Sequence, residues 1–218
     1  MKTTNKSTVE YIDHMGSDDS VVNSARVSFD KVASNYTKEQ NDKLITYLAK
    51  HNHWSPFAHT SITLRVSAPL FVARQLVKHQ VGLVWNEVSR RYVDDEPVFF
   101  IPKDWRSRPV NAKQGSGDAF IDMPEGYVES RIALLSATYL EMLEQGVAPE
   151  QARMILPQNM MTTWYWTGSL LALHRVFRQR TDSHAQTETA EVGHSIGEIC
   201  NELFPISWKA LNGSNPTV

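Results

Sequence analysis

Apolar and polar residues alternate with a period of two over Ser61–Ser67. Ile62, Leu64 and Val66 fall on one side and Thr63 and Arg65 on the other, which predicts a strand with one buried face. Upstream, Thr37-Lys-Glu-Gln40 resembles a capping box, and Leu44, Ile45 and Leu48 follow at helical spacing, so a helix is expected to about Lys50. His51–His59 reads as a loop between them. Pro69 sits where a helix can start, and Leu70 to about Gln80 is expected to be helical until Gly82 breaks it. Leu83–Val93 reads as extended and Val98–Ile101 as a further strand. Residues 102–126, rich in Pro, Gly, Ser and Lys, read as a long surface excursion. Tyr127–Gln145 has an amphipathic pattern ended by Gly146, and a short helix opened by Pro149 must stop before Pro157. Thr163–Arg178 is expected to be helical. Asp182 or Ser183 then caps a last long helix whose apolar face is Val192, Ile196, Ile199 and Leu203. The sum is α+β, helices with a few separated strands and no βαβ repeat or inter-domain linker, and so one domain over residues 1–218.

Composition narrows the chemistry. A net charge of -2 means that any basic binding site is local rather than a property of the whole surface. The single cysteine, Cys200, excludes an intramolecular disulfide framework and a Cys-rich zinc site, in keeping with a reducing compartment. It falls on the apolar face of the last helix, so it reads as core rather than nucleophile. His51, His53 and His59 lack a metal-ligand spacing, and no metal is expected. With no apolar run long enough to span a bilayer and no signal peptide, the expectation is a cytoplasmic protein without membrane contact. Dinucleotide-fold, P-loop and Gly-x-Ser-x-Gly signatures are all missing.

The densest chemistry lies in Ala73–Tyr92. If the helix runs to Gln80, Arg74 and Lys78 share one face and Gln75 and His79 the next. Two stacked cations suit a phosphate, although a solvated basic face is the simpler reading of that pair alone. In an extended segment Glu87, Ser89 and Arg91 point one way and Asn86, Val88, Arg90 and Tyr92 the other, a set able to read a polar heterocycle or sugar and its phosphate. An edge strand with cross-strand ion pairs is the alternative. A second cluster runs Arg175-Val-Phe-Arg-Gln-Arg-Thr-Asp-Ser-His-Ala-Gln186. The helix dipole accounts for one or two of its arginines but not for His184 and Gln186. Arg153, a cation on an apolar short helix, calls for an anionic partner if it is buried.

In these fragments the chain resembles the flavin-dependent (alternative) thymidylate synthases. Lys78-His79-Gln80 stands where that family has Arg-His-Arg, and Asn86-Glu87-Val88-Ser89-Arg90-Arg91 matches the second half of its signature. Ala25–Asp30, His53–His59, Phe71–Gln75, Ala152–Pro157 and Arg180–Gln186 follow the family in order and spacing. The chain departs from the pattern at Lys78 and Gln80, at the missing middle serine, in a Val81–Trp85 stretch one residue too long, and at Ser169, Leu171 and Arg175.

The resemblance implies a thymidylate synthase-complementing-type fold, a small central sheet with flanking helices. It also implies reductive methylation of dUMP to dTMP, with 5,10-methylenetetrahydrofolate as carbon donor, FAD as electron carrier, NADPH as reductant and no cysteine nucleophile. By position, Arg180 is the activating, catalytic arginine. Gln75, Lys78, Glu87, Val88, Ser89, Arg90, Arg91 and Arg153 join it in holding dUMP. Ser28, His53, Ser55, Lys78, His79 and Gln80 face FAD, together with Glu87, Ser169, Arg175 and His184. His53 and Tyr92 neighbour the folate. The family also implies a homotetramer with shared active sites. The competing reading is a non-catalytic nucleotide or single-stranded nucleic-acid binder, with Trp54, Trp85, Tyr92 and Trp105 as stacking surfaces.

Overall fold

The computed structural model describes residues 1–93, 95–110 and 115–214. In chain order the elements are β1 (Lys2–Thr4), β2 (Thr8–Met15), α1 (Asp18–Arg26), α2 (Lys38–Lys50), β3 (Ser61–Pro69), α3 (Leu70–Leu76), β4 (Leu83–Glu87) and β5 (Val98–Phe100). They continue with β6 (Trp105–Arg106), β7 (Phe120–Ile121), α4 (Tyr127–Glu144), α5 (Pro149–Ala152), β8 (Met161–Gly168), α6 (Leu170–Arg180), α7 (Thr187–Leu203) and α8 (Pro205–Gly213). The fold is the expected mixture: a four-stranded antiparallel sheet in the order β2-β3-β8-β4, flanked by helices.

Alternation explains which face of the sheet is covered. Leu64 pairs with Trp166 and Val66 with Trp164, all four buried, while Thr63 and Arg65 lie on the other face with Thr167 and Tyr165. On the buried face Trp85 of β4 stacks on Trp164 with ring centroids 4.2 Å apart. Against it pack Val21 and Val22 of α1, Ile45 of α2, Val72 and Leu76 of α3, Leu173 of α6 and Ile196 of α7. The polar face carries cross-strand hydrogen bonds instead, Thr63 to Thr167 at 3.0 Å and Thr163 to Ser67 at 3.2 Å.

Four expectations are corrected. The helix expected over Thr163–Arg178 is strand β8 followed by α6. Met-Thr-Thr-Trp-Tyr-Trp-Thr is β-branched and aromatic, and it alternates in burial from Thr162 through Trp164 and Trp166 to Gly168. Ser169 then caps α6, its hydroxyl accepting from the Ala172 N–H at 3.2 Å. The helix expected to Gln80 ends at Leu76. The chain turns there and passes Gly82, whose φ of 76° suits glycine. The extended stretch stops at Glu87, since Tyr92 N–H closes a turn on the Ser89 carbonyl. Finally, α7 begins at Thr187, because Asp182 spends its carboxylate on the His184 N–H in a preceding turn.

Candidate active site

Three segments meet at the carboxyl end of α6. Arg178 and Arg180 lie in its last turn, where the helix dipole favours cations. The second turn of α7 approaches closely because Gly193 carries no side chain; a Cβ there would sit 3.3 Å from the Arg180 Cβ and 3.1 Å from the Thr181 methyl. From the other side α3 brings Gln75. The half-buried Arg180 guanidinium donates through Nε to His79 Nε2 at 2.9 Å and through Nη2 to the Gln75 carbonyl at 3.2 Å. The first contact requires an unprotonated Nε2. Burial, and then the charge of Arg180, hold His79 below its usual range and so favour that neutral ring. Burial also lowers the Arg180 guanidinium, but arginine stays charged at any physiological pH.

Gln75, Arg178 and Arg180 border a cavity of about 860 Å³. Arg175, Arg178, Arg180 and His184 face it, with Gln75 and Gln186 as amide donors and acceptors and Asp182 as the acid in its wall. Three guanidiniums around an open cavity suit a phosphate-bearing ligand. A second cavity, of about 730 Å³, is lined by Glu87, Val88, Arg90 and Arg153 together with Ser67 and Thr162. There Glu87 accepts from the Thr162 hydroxyl at 2.7 Å and from the Trp85 indole at 3.2 Å, which fixes the carboxylate. Among the described residues the two cavities share no lining residue.

The residues singled out in the sequence therefore separate. Gln75, Arg175, Arg180 and His184 meet at the first cavity, with His79 behind Arg180. Glu87, Val88, Arg90 and Arg153 meet at the second. Arg153 is exposed rather than buried, its Nε donating to the Glu150 carbonyl at 3.3 Å, so it needs no fixed acidic partner. Ser89 accepts from Arg91 Nε at 3.3 Å, and Arg90 donates to the Asp95 carbonyl. Lys78, Gln80, Ser89, Arg91 and Tyr92 line neither cavity. Nor do Ser28 in the exposed turn after α1, His53 against the edge of the Tyr47 ring, Ser55 in the turn before β3, or Ser169 at the α6 cap. Sequence reasoning gave no role to Arg178 and Gln179, although they stand inside the arginine cluster it flagged, or to Thr162, which it placed just outside an expected helix.

Cys200 is fully buried, and burial pushes its thiol up to about 12. Trp85, offered above as a stacking surface for bases, is already stacked on Trp164. Among the described residues no helix is long and apolar enough to cross a membrane.

Comparison with known proteins converges on one family. Residues 10–206 match the thymidylate synthase complementing protein family, Thy1. Flavin-dependent thymidylate synthases of Thermosipho africanus and Thermotoga neapolitana are 37% and 38% identical to this chain, covering 96% and 94% of it and 92% and 91% of their own lengths. A crystal structure of a UMP/dUMP methylase, PolB, from Streptomyces cacaoi bound with 5-Br dUMP superposes with a TM-score of 0.86 at 28% identity, covering 98% of both chains. The fold and site thus define an enzyme of the methyltransferase class. The chain belongs to the thymidylate synthase complementing family, whose matching members carry the name flavin-dependent thymidylate synthase.

Proposed function

We propose that this enzyme methylates dUMP to dTMP, taking the carbon from 5,10-methylenetetrahydrofolate and the reducing equivalents from NADPH through bound FAD. In balance, dUMP, the folate, NADPH and a proton give dTMP, tetrahydrofolate and NADP⁺. The observation that carries the reading is Arg180, half-buried at a cationic cavity and held on two sides by His79 and the Gln75 carbonyl.

The donor set of that cavity, three guanidiniums and an imidazole among amides, fits a dinucleotide with a diphosphate. Arg175 and His184 would hold FAD there, with His79, Ser28, His53, Ser55, Lys78, Gln80, Glu87 and Ser169 as further neighbours by family position. When bound, the flavin supplies electron transfer between the nicotinamide and the one-carbon unit. The protein supplies position and charge. Arg180 stabilises the negative charge that develops on the uracil ring as its C5 becomes nucleophilic, and the neutral His79 keeps the guanidinium aimed. Gln75, Lys78, Glu87, Val88, Ser89, Arg90, Arg91 and Arg153 hold the nucleotide. His53 and Tyr92 flank the folate.

Two cavities without a common residue support a site completed by another copy of the chain, as in a homotetramer: the Arg180 cavity of one subunit would face the Glu87–Arg153 cavity of a neighbour. A solution mass of four chains is the expected result, and a monomer that turns over would contradict it.

Burial of Cys200 as an un-ionised thiol supports a mechanism without a cysteine nucleophile. Tritium release from 5-tritiated dUMP, in the presence of the folate, FAD and NADPH, tests the whole reading. Cys200→Ala should keep turnover within a few-fold of the unmodified enzyme. Its complete loss in a folded, assembled variant would put the thiol into the chemistry.

A further inference from the structure

Next to the Arg180 cavity lies a relay of side chains of which the reaction above uses only Gln75. Arg106, on β6, donates through Nη2 to Glu188 Oε1 at 2.6 Å and through Nε to the Ser116 hydroxyl at 2.9 Å. Glu188, in the first turn of α7, is buried. Burial alone would raise its carboxyl, but the hydrogen bonds from Arg106, the backbone and Gln186 outweigh it and hold the group below its usual range. Its second oxygen, Oε2, accepts from Gln186 Nε2 at 2.9 Å. Gln186 Oε1 in turn accepts from Gln75 Nε2 at 2.5 Å, and Gln75 Oε1 faces the Thr189 hydroxyl at 3.4 Å.

The charge at one end fixes the direction of the whole relay. An amide can present either oxygen or nitrogen to a neighbour, and the two orientations nearly coincide in shape. An ionised carboxylate only accepts, so Glu188 forces the nitrogen of Gln186 toward itself and the oxygen toward Gln75. That oxygen, at a much shorter distance than the Phe71 carbonyl 3.5 Å from the same nitrogen, draws the nitrogen of Gln75 and leaves its oxygen toward Thr189. Arg106 occupies the other carboxylate oxygen and keeps the group charged in a buried setting, where an unpaired carboxylate would be costly. Gln75 and Gln186 both stand in the cavity wall.

We propose that the Arg106–Glu188 pair is a positioning device: it fixes the donor and acceptor sense of Gln186 and Gln75, and so the face that the cavity offers to the nucleotide. The inference rests on the reading of Gln75 as a nucleotide contact. It also gives the 102–126 excursion a task, because Arg106 and Ser116 come from it.

Steady-state kinetics of the assembled, FAD-loaded enzyme tests it. Glu188→Gln keeps the shape but accepts either amide sense, and it should raise the KM for dUMP about tenfold while kcat stays within about twofold, a loss of one well-oriented hydrogen bond. Arg106→Met should do the same, Arg106→Lys should restore most of the affinity, and Arg106→Met carries the test should Glu188→Gln fail to fold. In a Gln75→Met background, Glu188→Gln should raise KM no further, since the group it orients is gone. Two fully multiplicative effects, or an unchanged KM in Glu188→Gln beside a raised KM in Gln75→Met, would overturn the proposal. An unchanged KM in Gln75→Met itself would instead remove Gln75 from the nucleotide site and take the proposal's foundation with it.

Discussion

At the scale of single residues the site is defined by how a cation is kept in place. Among the described residues Arg180 has no carboxylate as a hydrogen-bond partner; it donates to an imidazole nitrogen and a backbone carbonyl, both neutral. Such partners orient the guanidinium without cancelling its charge, which leaves it available to an anionic ligand. Arg180→Ala should therefore lower kcat by about 10²–10³-fold, the usual cost of losing one transition-state charge stabiliser, while dUMP still binds measurably. Turnover near that of the unmodified enzyme in a tritium-release assay would end its assigned role. A second histidine shows the opposite use of burial. His174 lies in the core with Nε2 3.1 Å from Asn212 Oδ1, and burial, only partly opposed by that contact, lowers it from 6.5 to about 4. A histidine held neutral binds fewer protons folded than unfolded, so stability is full above pH 6.5 and falls as pH drops toward 4. The loss over that window is about 3 kcal/mol. Melting temperatures from pH 7.5 to 4.5 should fall less steeply for His174→Gln, and parallel curves for the two proteins would contradict this.

At the scale of elements, α6 and α7 place the chemistry, and their packing depends on two small residues of α7. Gly193 admits the Arg180 end of α6, and Gly197 lies under the Phe177 ring, where an added Cβ would come within 2.6 Å of a ring carbon. Gly197→Ala should destabilise the protein by about 1–3 kcal/mol through overpacking, read as a lower urea midpoint, and an unchanged midpoint would show that the helices are free to separate. Sequence patterning located α2, α4, the α7 face and β3 because each has a single period and a recognisable terminus. It failed at β8, where Thr-Thr-Trp-Tyr-Trp-Thr runs into a leucine-rich helix and the two periods merge when read as one segment. It gave no reading of β2 or α8, whose apolar positions become a pattern only against their partners. Arg175, Arg180 and His184 were legible as a cluster because sequence proximity became spatial proximity. Arg106 and Glu188 were not, since 82 residues separate them and no local spacing marks the pair.

At the scale of the whole molecule, one chain gathers candidate site residues at two cavities: the arginines of α6 at one, and Glu87, Val88, Arg90 and Arg153 at the other. This division gives physical content to the proposed tetramer, because the proposed reaction would place both sets around one nucleotide. His53 and Tyr92, proposed as folate and flavin neighbours, stand exposed on the single chain, where the proposed neighbouring subunit would cover them. One sequence of colours tests the proposed reaction directly. Protein loaded with FAD and kept free of oxygen should lose its visible absorption on addition of NADPH, and recover it only when dUMP and 5,10-methylenetetrahydrofolate are both supplied, with dTMP formed in step. Recovery with neither substrate present, or dTMP formed while the absorption never changes, would contradict it.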